Sequence, residues 1–413
     1  MPVKHDISIR RRKSVNSQTS GQDENMLSAV PVRRKRKRRT FLRALFRLMV
    51  VAALIIGGVY VWKNWDALAP ESIIYRINEK LAGGQRGDGF PVEITGSSVL
   101  NMSETKDGLA LLTDTAVVLL NHKGGELLRR QHGYSNPFMR TNGKWLLIAD
   151  NGGSRLRIET RAGTAAEMTV KNRIVSAAIG SGGGFAVATD SSKGYTSEVV
   201  AYNRQQKKIF HRYDVKLTVL DIALSPNGKS MAVVGIKAEA GAMKCSLLFF
   251  DFNKKDPVAE YSGTDLMLFS VKYFPNGTVA AVGDRALWVF DESGSIQQKH
   301  SYEDCELAGF TLGDRSAAVA LRNFGGSEGG SLLTVNSSGD KAYSIPFEGS
   351  FRSLAPDKSG MLLLTSEALY RADAAGVFKK GDSIRDGRMV CSLGKKIIIL
   401  GLTSLNENKI PLS

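Results

Sequence analysis

The sequence DIALSPNGKSMAVVG, residues 221–235, predicts two β-strands joined by a tight turn. Apolar residues alternate with smaller ones before the turn, and the apolar run at 231–234 after it contains two β-branched side chains. Such a run is typical of a strand that is buried on both faces. Between the strands, Pro226 presets a turn dihedral, and the Asn227-Gly228 pair tolerates the positive φ of a tight hairpin.

The same turn followed by an apolar strand recurs along the chain. Its eight copies have turns at 106–108, 141–144, 181–184, 226–228, 274–277, 312–315, 356–360 and 393–396. The five glycines that mark the first five turns are Gly108, Gly143, Gly183, Gly228 and Gly277, at intervals of 35, 40, 45 and 49 residues. Intervals of this size are typical of repeat architectures.

Two further segments follow most of these hairpins. An apolar third strand is followed by a short polar turn and a fourth segment, as in AVVLLNHKGGELLRR from Ala116 and SLLFFDFNKKDPVAEY from Ser246. Four short antiparallel strands in a unit of about 40 residues are typical of a β-propeller blade. We therefore predict an all-β fold, a β-propeller of eight blades, with seven blades as the alternative.

Two of the repeats carry a family resemblance. LSPNGKSMAVVG at 224–235 resembles the TolB-type and WD40-like propeller repeat, whose common core reads S-P-D-G-K before an apolar strand, and FPNGTVAAVG at 274–283 is a second match. No Trp-Asp dipeptide closes a third strand. The whole chain also resembles uncharacterised bacterial propeller proteins with a basic cytoplasmic tail and one membrane helix. The resemblance implies an architecture and no activity.

Positive charge is concentrated at the N-terminus. Residues 1–47 contain 14 of the 56 Lys and Arg residues but 3 of the 40 Asp and Glu residues, so most of the formal net charge of +16 lies there. Residues 1–40 also lack the apolar content needed to offset the entropy lost on folding. We expect residues 1–40 to be a disordered, basic cytoplasmic tail.

A transmembrane helix is predicted at residues 41–65. Its uncharged part, LMVVAALIIGGVYVW at 48–62, is about 22 Å long as a helix, and flanking residues extend it toward the roughly 30 Å of a hydrocarbon core. The basic residues that we assign to membrane-surface contact and topology are Arg33, Arg34, Lys35, Arg36, Lys37, Arg38, Arg39, Arg43 and Arg47. Cations on this side predict a single-pass signal anchor with a cytoplasmic N-terminus, a tail that contacts anionic lipid, and an extracytoplasmic propeller.

Two other interpretations of this region remain open. Ala67-Leu68-Ala69 has the small-x-small form of a signal-peptide cleavage site, although Pro70 would follow the cut. The seven consecutive cations at 33–39 also have the composition of a nucleic-acid patch. The apolar helix directly after them favours a membrane partner over nucleic acid.

Residues 66–91 are predicted to form a short helix and a linker. Apolar residues at helical spacing favour the helix at 71–81, and the glycines of 83–89 indicate flexibility. The propeller then occupies 92–413. We expect residues 92–95 to add the missing outer strand to the last blade, at 389–402, which would close the ring with the two ends of the chain.

The histidines and cysteines form no recognisable site. His5, His122, His132, His211 and His300 lack metal-ligand spacing, and we expect them to be solvated or to lie at blade edges. The three cysteines, Cys245, Cys305 and Cys391, fall in separate blades without a CxxC pair. We expect three buried thiols rather than a disulfide.

No catalytic, cofactor or metal residues are predicted. Asp150, Asp190, Asp284 and Asp291 lie near strand ends, where Asp is an ordinary turn former, although a cation site on one face is conceivable from their placement. Propellers that oxidise alcohols with a quinone carry tryptophans in most blades, whereas Trp145 and Trp288 are the two blade candidates of this chain. We therefore expect no cofactor.

The functional hypothesis is a binding or scaffolding module of the bacterial cell envelope, with an envelope protein or glycan as partner. The connections at 236–244 and 323–330 depart most from the blade length, which marks them as candidate contacts. One alternative is a hydrolase or lyase acting on envelope glycan or peptide, which predicts histidines and carboxylates gathered at one channel mouth. A second is a transmembrane receptor that signals through the basic tail.

Overall fold

The computed structural model describes residues 36–63, 86–191, 194–302, 304–325, 328–338, 342–358, 360–373, 376–381, 384 and 386–409, with side chains for all of these except 36–42, 60–63 and 342. The chain divides into two units, Met1–Ile73 and Ile74–Ser413. The predicted helix at 71–81 and the tail at 1–35 lie outside the described residues.

The first unit contains one described helix, α1 (Arg36–Lys63). It begins five residues before the predicted start at 41, so its first turn includes residues of the basic block that we expected to be disordered. Long straight-chain Arg and Lys side chains are good helix formers, which is the physical reason that the helix extends into this block. Among the described residues, no helix meets the length and apolar content of a membrane span.

The second unit is an eight-bladed β-propeller, as predicted, and each blade is a four-stranded antiparallel sheet. Blade 1 contains β2 (Val99–Thr105), β3 (Gly108–Thr113), β4 (Ala116–Leu120) and β5 (Glu126–Gln131). Blade 2 contains β6 (Pro137–Asn142), β7 (Trp145–Asp150), β8 (Arg155–Thr160) and β9 (Gly163–Thr169). Blade 3 contains β10 (Ile174–Ile179), β11 (Phe185–Asp190), β12 (Ser197–Tyr202) and β13 (Lys208–Asp214). Blade 4 contains β14 (Thr218–Leu224), β15 (Ser230–Glu239), β16 (Ala242–Asp251) and β17 (Ala259–Gly263).

The remaining four blades repeat this order. Blade 5 contains β18 (Leu268–Tyr273), β19 (Val279–Gly283), β20 (Ala286–Phe290) and β21 (Ile296–Ser301). Blade 6 contains β22 (Cys305–Leu312), β23 (Ser316–Asn323), β24 (Gly330–Asn336) and β25 (Ala342–Phe347). Blade 7 contains β26 (Phe351–Asp357), β27 (Gly360–Thr365), β28 (Leu369–Asp373) and β29 (Phe378–Lys380). Blade 8 contains β30 (Met389–Leu393), β31 (Lys396–Leu400), β32 (Ser404–Asn408) and β1 (Val92–Glu93).

The ring is closed by the two ends of the propeller sequence, as predicted. In blade 8, β1 pairs antiparallel with β32, with Val92 opposite Leu405 and Glu93 opposite Ser404. The first strand of each blade is innermost, because these first strands contact those of neighbouring blades around the ring, including β2 with β30. Closure pairs strands that would otherwise form open edges.

The apolar core is divided among the seams between blades. Eight buried clusters are present, and each joins the sheets of two consecutive blades. The second and third strands are the most deeply buried, because both faces of these strands are covered by neighbouring blades. Continuous apolar runs such as Leu146–Ile148 and Val279–Val282 are the sequence consequence. Each blade is therefore stabilised by its two neighbours.

Two faces of the propeller can be distinguished. The linker face carries the turns between first and second strands and between third and fourth strands; residues 86–91 lie there, with the Gly89 amide donating to the Lys123 carbonyl at 3.0 Å. The hairpin face carries the other connections and is named for the β15–β16 hairpin.

Residues 236–244, predicted to be a long connection, instead extend the two strands of the β15–β16 hairpin to ten residues each. Continuous pairing from Ile236↔Cys245 to Glu239↔Ala242 makes this segment a ribbon.

Candidate functional site

The central channel is lined by the innermost strands. One edge of each such strand is paired and both of its faces meet neighbouring blades, so an exposed side chain on it is exposed toward the channel or its mouths. The exposed residues on these strands are Leu100, Asn101, Arg140, Thr218, Phe310, Arg352 and Pro356. The described channel wall therefore combines apolar side chains with two arginines.

Six of the eight innermost strands share a β-bulge near the hairpin face. The bulged residues, which have no partner on the second strand, are Leu100, Val175, Leu220, Phe269, Ala308 and Arg352. Bulges re-aim side chains and interrupt regular pairing, and they are frequent next to functional sites. Five of these six side chains are apolar; Leu100 is exposed, whereas Leu220, Phe269 and Ala308 pack against the buried clusters between blades.

A buried carboxylate, Asp221, connects the innermost strands of blades 2 to 5. Its Oδ1 atom accepts a hydrogen bond from Ser176 Oγ at 2.7 Å, and its Oδ2 atom accepts bonds from Ser270 Oγ at 2.9 Å and the Val271 amide at 3.1 Å. The Arg140 guanidinium lies 3.5 Å from Oδ1. One edge of an innermost strand has no partner strand, so backbone amides on that edge need other acceptors. The Asp221 carboxylate is the acceptor for the Val271 amide.

Arg140 is the charged group of this cluster that reaches solvent. Its side chain is 47 % exposed, whereas that of Asp221 is 6 % exposed. The guanidinium extends from blade 2 past blade 3 to reach blade 4, and its central carbon lies 5.6 Å from the Phe138 ring centroid. The arrangement holds a guanidinium against the channel wall with several N–H donors directed to solvent.

A second buried carboxylate, Asp357, joins blades 7 and 8. Arg371 Nε donates to its Oδ2 atom at 2.8 Å, and Ser392 Oγ donates to Oδ1 at 2.9 Å. The Arg371 side chain is 12 % exposed, so this pair is closed to solvent, unlike Arg140. Nearby, Ser353 Oγ accepts the Val390 amide at 3.2 Å, which repeats the role of Asp221 toward Val271. We interpret this cluster as part of the ring's framework.

The four aspartates considered as cation ligands have separate structural roles. Asp150 and Asp190 end second strands, and Asp284 directly follows one. Each accepts the amide just before the first strand of the same blade, from Asn136, Arg173 and Met267 at 2.8–2.9 Å. Asp291 instead accepts the amides of its own turn. Among the described residues, no group of three or more His, Cys, Asp or Glu side chains is arranged to hold a metal ion.

The histidines of the propeller lie away from the innermost strands. His122 is in an exposed turn, and His211 and His300 are on outer strands. His132 was expected at an edge but is buried, because Nε2 contacts the Thr113 carbonyl at 3.1 Å and Nδ1 accepts the Tyr134 amide at 3.1 Å. Two bonds to the backbone offset the cost of burying this imidazole.

The cysteines are free and lie in three different blades. Cys245 and Cys391 are buried as expected, and burial raises the pKa of both thiols, that of Cys391 to about 12. Neither is a thiolate at neutral pH, so neither is activated as a nucleophile. Cys305 differs from the expectation: it is half-buried, because it begins β22 at the hairpin face.

Large exposed apolar side chains are concentrated on the hairpin face. Those in its connections are Tyr195, Val215, Met267, Phe324 and Leu402. Met243 lies at the start of β16, and Leu100 lies at the same end of β2. The linker face has Val258 and Val377 in its described turns. These side chains belong to connections and strands of blades 1, 3, 4, 6 and 8, and they make the hairpin face the more apolar of the two faces.

A small cavity of about 190 Å³ lies at the seam of blades 6 and 7. Arg315, Lys358 and Asp373 line it together with Tyr343 and Met361. The Arg315 guanidinium donates to the Lys358 carbonyl at 2.9 Å. One of the two cations that line the cavity therefore already holds the seam between the blades. We therefore regard the channel and the hairpin face as the candidate site.

The basic residues predicted from the sequence are not part of this site. Arg33, Arg34 and Lys35 lie outside the described residues, Arg36 to Arg39 are in the first turns of α1, and Arg43 and Arg47 are exposed on the same helix. Their assignment to membrane contact stays a prediction. Arg140 and Asp221 were not predicted as site residues from the sequence. The one signal for them was that each is a charged residue within an innermost strand.

Comparison with known proteins supplies a family. Residues 91–397 match the model of a family described as "Family of unknown function (DUF5711)". The chain belongs to this family. No curated protein is similar enough in sequence to match the chain. The C-terminal WD40 domain of Sif2, known from a crystal structure, resembles it with a TM-score of 0.56 and 11 % identity over 78 % of this chain and 99 % of that domain.

The WD40 likeness establishes the fold of this DUF5711 member and nothing about its ligand. At 11 % identity, the side chains of the channel are not transferable between the two proteins. The DUF5711 match does cover every innermost strand of the propeller, together with Arg140, Asp221 and Asp357.

Proposed function

We propose that this protein is a membrane-anchored, extracytoplasmic β-propeller that binds an envelope protein through its hairpin face. The observation that carries the proposal is the concentration of exposed apolar side chains on that face, beside the only pair of strands that reaches ten residues among those described. Rigid blades hold these connections in place, and loops on a rigid scaffold are the usual location of binding residues.

The projecting ribbon supports a protein partner. Met243 is 54 % exposed near the tip of the ribbon. The ion pair Lys237–Glu260 at 2.7 Å joins the ribbon to β17, and Lys244–Glu239 at 3.2 Å joins its two strands. A methionine adapts its shape to a partner surface, while lysines on the ribbon discourage uncontrolled strand pairing. Both properties suit a reversible contact surface.

The enzymatic alternative predicted histidines and carboxylates gathered at one channel mouth. The described propeller histidines lie in turns, at a seam and on outer strands, and the oxygens of Asp221 accept bonds from two serines and an amide. These positions support binding over hydrolysis. No observation specific to the receptor alternative is at hand, so binding remains the function that we propose.

Helix α1 supports the anchor. Ten large apolar side chains between Leu45 and Val59 are 43–70 % exposed, on all sides of the helix. A helix that is apolar all round needs an apolar environment, and Arg43 and Arg47 near one end fit the headgroup region of a membrane with the N-terminus inside. The envelope location of the propeller follows from this orientation.

Site-specific photo-crosslinking in cells tests the binding face. A photoreactive phenylalanine analogue is placed in the full-length protein at Met243 or Leu402 of the hairpin face, and at Val258 or Val377 of the linker face as exposed controls. We expect one reproducible protein adduct from the hairpin-face positions and none from the controls. Equal adducts from both faces, or adducts from the linker face alone, would contradict the proposal.

Extraction of membranes with alkaline carbonate tests the anchor. The wild-type protein should stay in the membrane fraction, and the double variant Leu54→Lys/Ile56→Lys should be released, because charge in the middle of the helix opposes insertion. Leu54→Ile/Ile56→Leu is the matched control. Protease added outside intact spheroplasts should degrade the propeller; full protection would place it in the cytoplasm and refute the proposed orientation.

A further inference from the structure

We infer that Arg140, held by Asp221, recognises a carboxylate on an acidic peptide segment that enters the channel from the hairpin face. The inference rests on the proposed binding function and names the chemistry of the ligand. Arg140 is the residue that contacts the ligand, and Asp221 is a positioning residue.

The distances to the Asp221 oxygens show which donors that carboxylate satisfies. Asp221 has three contacts at 2.7–3.1 Å, from Ser176, Ser270 and the Val271 amide, and its contact with Arg140 is the longest at 3.5 Å. Its oxygens are thus occupied mainly by neutral donors. The guanidinium has five N–H donors in a planar fork, and one of them meets Asp221, so the fork retains donors for a second carboxylate.

The guanidinium favours an anion, and its surroundings favour a carboxylate. Arg140 carries one positive charge, and the nearest oxygen of the buried Asp221 carboxylate lies 3.5 Å from it. A dianion would be attracted by Arg140 and repelled by Asp221 twice as strongly as a monoanion, so charge alone does not choose between a carboxylate and phosphate. A carboxylate matches the planar fork of the guanidinium, and the apolar side chains around it favour a peptide over inorganic phosphate.

The surroundings favour a carboxylate that has apolar neighbours. Leu100 is 43 % exposed on the innermost strand of blade 1, next to the blade of Arg140, and Phe310 is 38 % exposed on that of blade 6. The Phe310 ring lies against that of Phe269 in blade 5, with 5.6 Å between the ring centroids. A ligand that reaches Arg140 past these apolar side chains therefore combines an Asp or Glu side chain, or a C-terminal carboxylate, with large apolar groups.

Selection from a random hexapeptide library provides the test. The probe is the library displayed on phage, and the targets are the full-length protein in detergent micelles and its variants Arg140→Gln and Arg140→Lys. Arg129→Gln is the matched control, because Arg129 is a 54 % exposed arginine that pairs with Glu126 on the outer strand β5, away from the channel. Each variant is checked for an unchanged unfolding temperature before selection.

We expect wild type and Arg129→Gln to enrich peptides with an acidic residue beside Leu, Phe or Met, about tenfold or more over the unselected library. Arg140→Gln should lose this enrichment, and Arg140→Lys should retain part of it, since a lysine keeps the charge without the fork. A selected peptide should be displaced by its own excess but not by equimolar inorganic phosphate; displacement by phosphate would overturn the carboxylate assignment.

Two results would overturn the inference. One is the absence of an acidic preference in the wild type, and the other is a preference that persists in Arg140→Gln. The photo-crosslink from Met243 separates this failure from that of the proposed function: an adduct that forms equally in wild type and Arg140→Gln leaves hairpin-face binding standing without carboxylate recognition.

Discussion

Val92 and Leu405 are directly opposite each other in the strand pair that closes the ring, although they are separated by nearly the whole propeller sequence. Leu405 is fully buried in the cluster that joins blade 8 to blade 1, with Phe90, Val92 and Ile94 packed against that cluster. The outer strand β1 has two residues, so side-chain packing around it supplies most of the closure. The ring is therefore held together by a small number of apolar contacts.

Leu405→Ala should weaken this closure. Loss of a fully buried leucine and the cavity that remains cost about 2–5 kcal/mol. The free energy of unfolding, measured by urea denaturation of the full chain, should fall by that amount. In hydrogen exchange, the backbone amides of blades 8 and 1 should lose their protection before those of the other blades. Leu402→Ala is the control, since Leu402 is 62 % exposed three residues earlier. Equal effects of both variants would contradict the closure model.

Two adjacent glycines in the turn of blade 3 should respond differently to alanine. Gly183 has φ +85°, and a Cβ atom there would lie 2.7 Å from the Trp145 ring, whereas a Cβ at Gly182 meets nothing within 4 Å. Gly183→Ala should lower the free energy of unfolding by about 2–4 kcal/mol, from backbone strain and overpacking combined. Gly182→Ala should change it by less than about 0.5 kcal/mol. Thermal unfolding of the two variants checks this.

Asp221→Ala should destabilise the propeller more than removal of an exposed turn aspartate. Its removal leaves Ser176, Ser270 and the Val271 amide without their acceptor at the inner seams of blades 3 to 5. Unsatisfied buried donors cost about 1–3 kcal/mol each, so a loss on the order of 3 kcal/mol is expected in urea denaturation. Asp291→Ala is the comparison, because its partners are exposed. A smaller loss for Asp221→Ala than for Asp291→Ala would refute the seam role.

Stability should decrease in mild acid because of His300. Burial lowers the pKa of His300, and its Nε2 atom is buried without a hydrogen-bond partner among the described residues. As pH falls below about 6.5, the unfolded state binds a proton before the folded state does, so the free energy of unfolding decreases until the pH passes the lower, folded pKa. At pH 7 and above, this loss is absent.

His300→Phe should reduce the difference in unfolding free energy between pH 7 and pH 5, measured by urea denaturation at both values. His122→Gln serves as control, because His122 is exposed in a turn. A pH dependence that is the same in His300→Phe and wild type would show that His300 does not cause it.

Much of the architecture was predictable because it depends on local patterns. The Asn227-Gly228 turn and its copies predicted the eight hairpins, and residues 92–95 were predicted to close the ring, which β1 confirms. The segment at 236–244 was predicted as a long connection, because it departs from the usual blade length. Cross-strand pairing with the opposite half of the hairpin, rather than burial, makes it a ribbon.

The candidate site was not predictable in the same way. Asp221 was part of the stretch that predicts the first hairpin, yet nothing local indicates that Ser176 and Ser270 donate to its carboxylate from two other blades. His132 was expected at an edge because its neighbours in sequence are polar; its burial depends on Thr113 and Tyr134, which the fold brings around it.

The sequence by itself determined the repeat and the strand-turn-strand unit, because turn chemistry and apolar runs act over a few residues, and it favoured eight blades over seven. Only the tertiary structure decided which charged groups meet in the channel. Arg140 reaches Asp221 across 81 positions of sequence because the ring places the innermost strands of blades 2 to 4 side by side. Contacts between blades depend on the geometry of the closed ring, and that geometry is a property of all eight blades together.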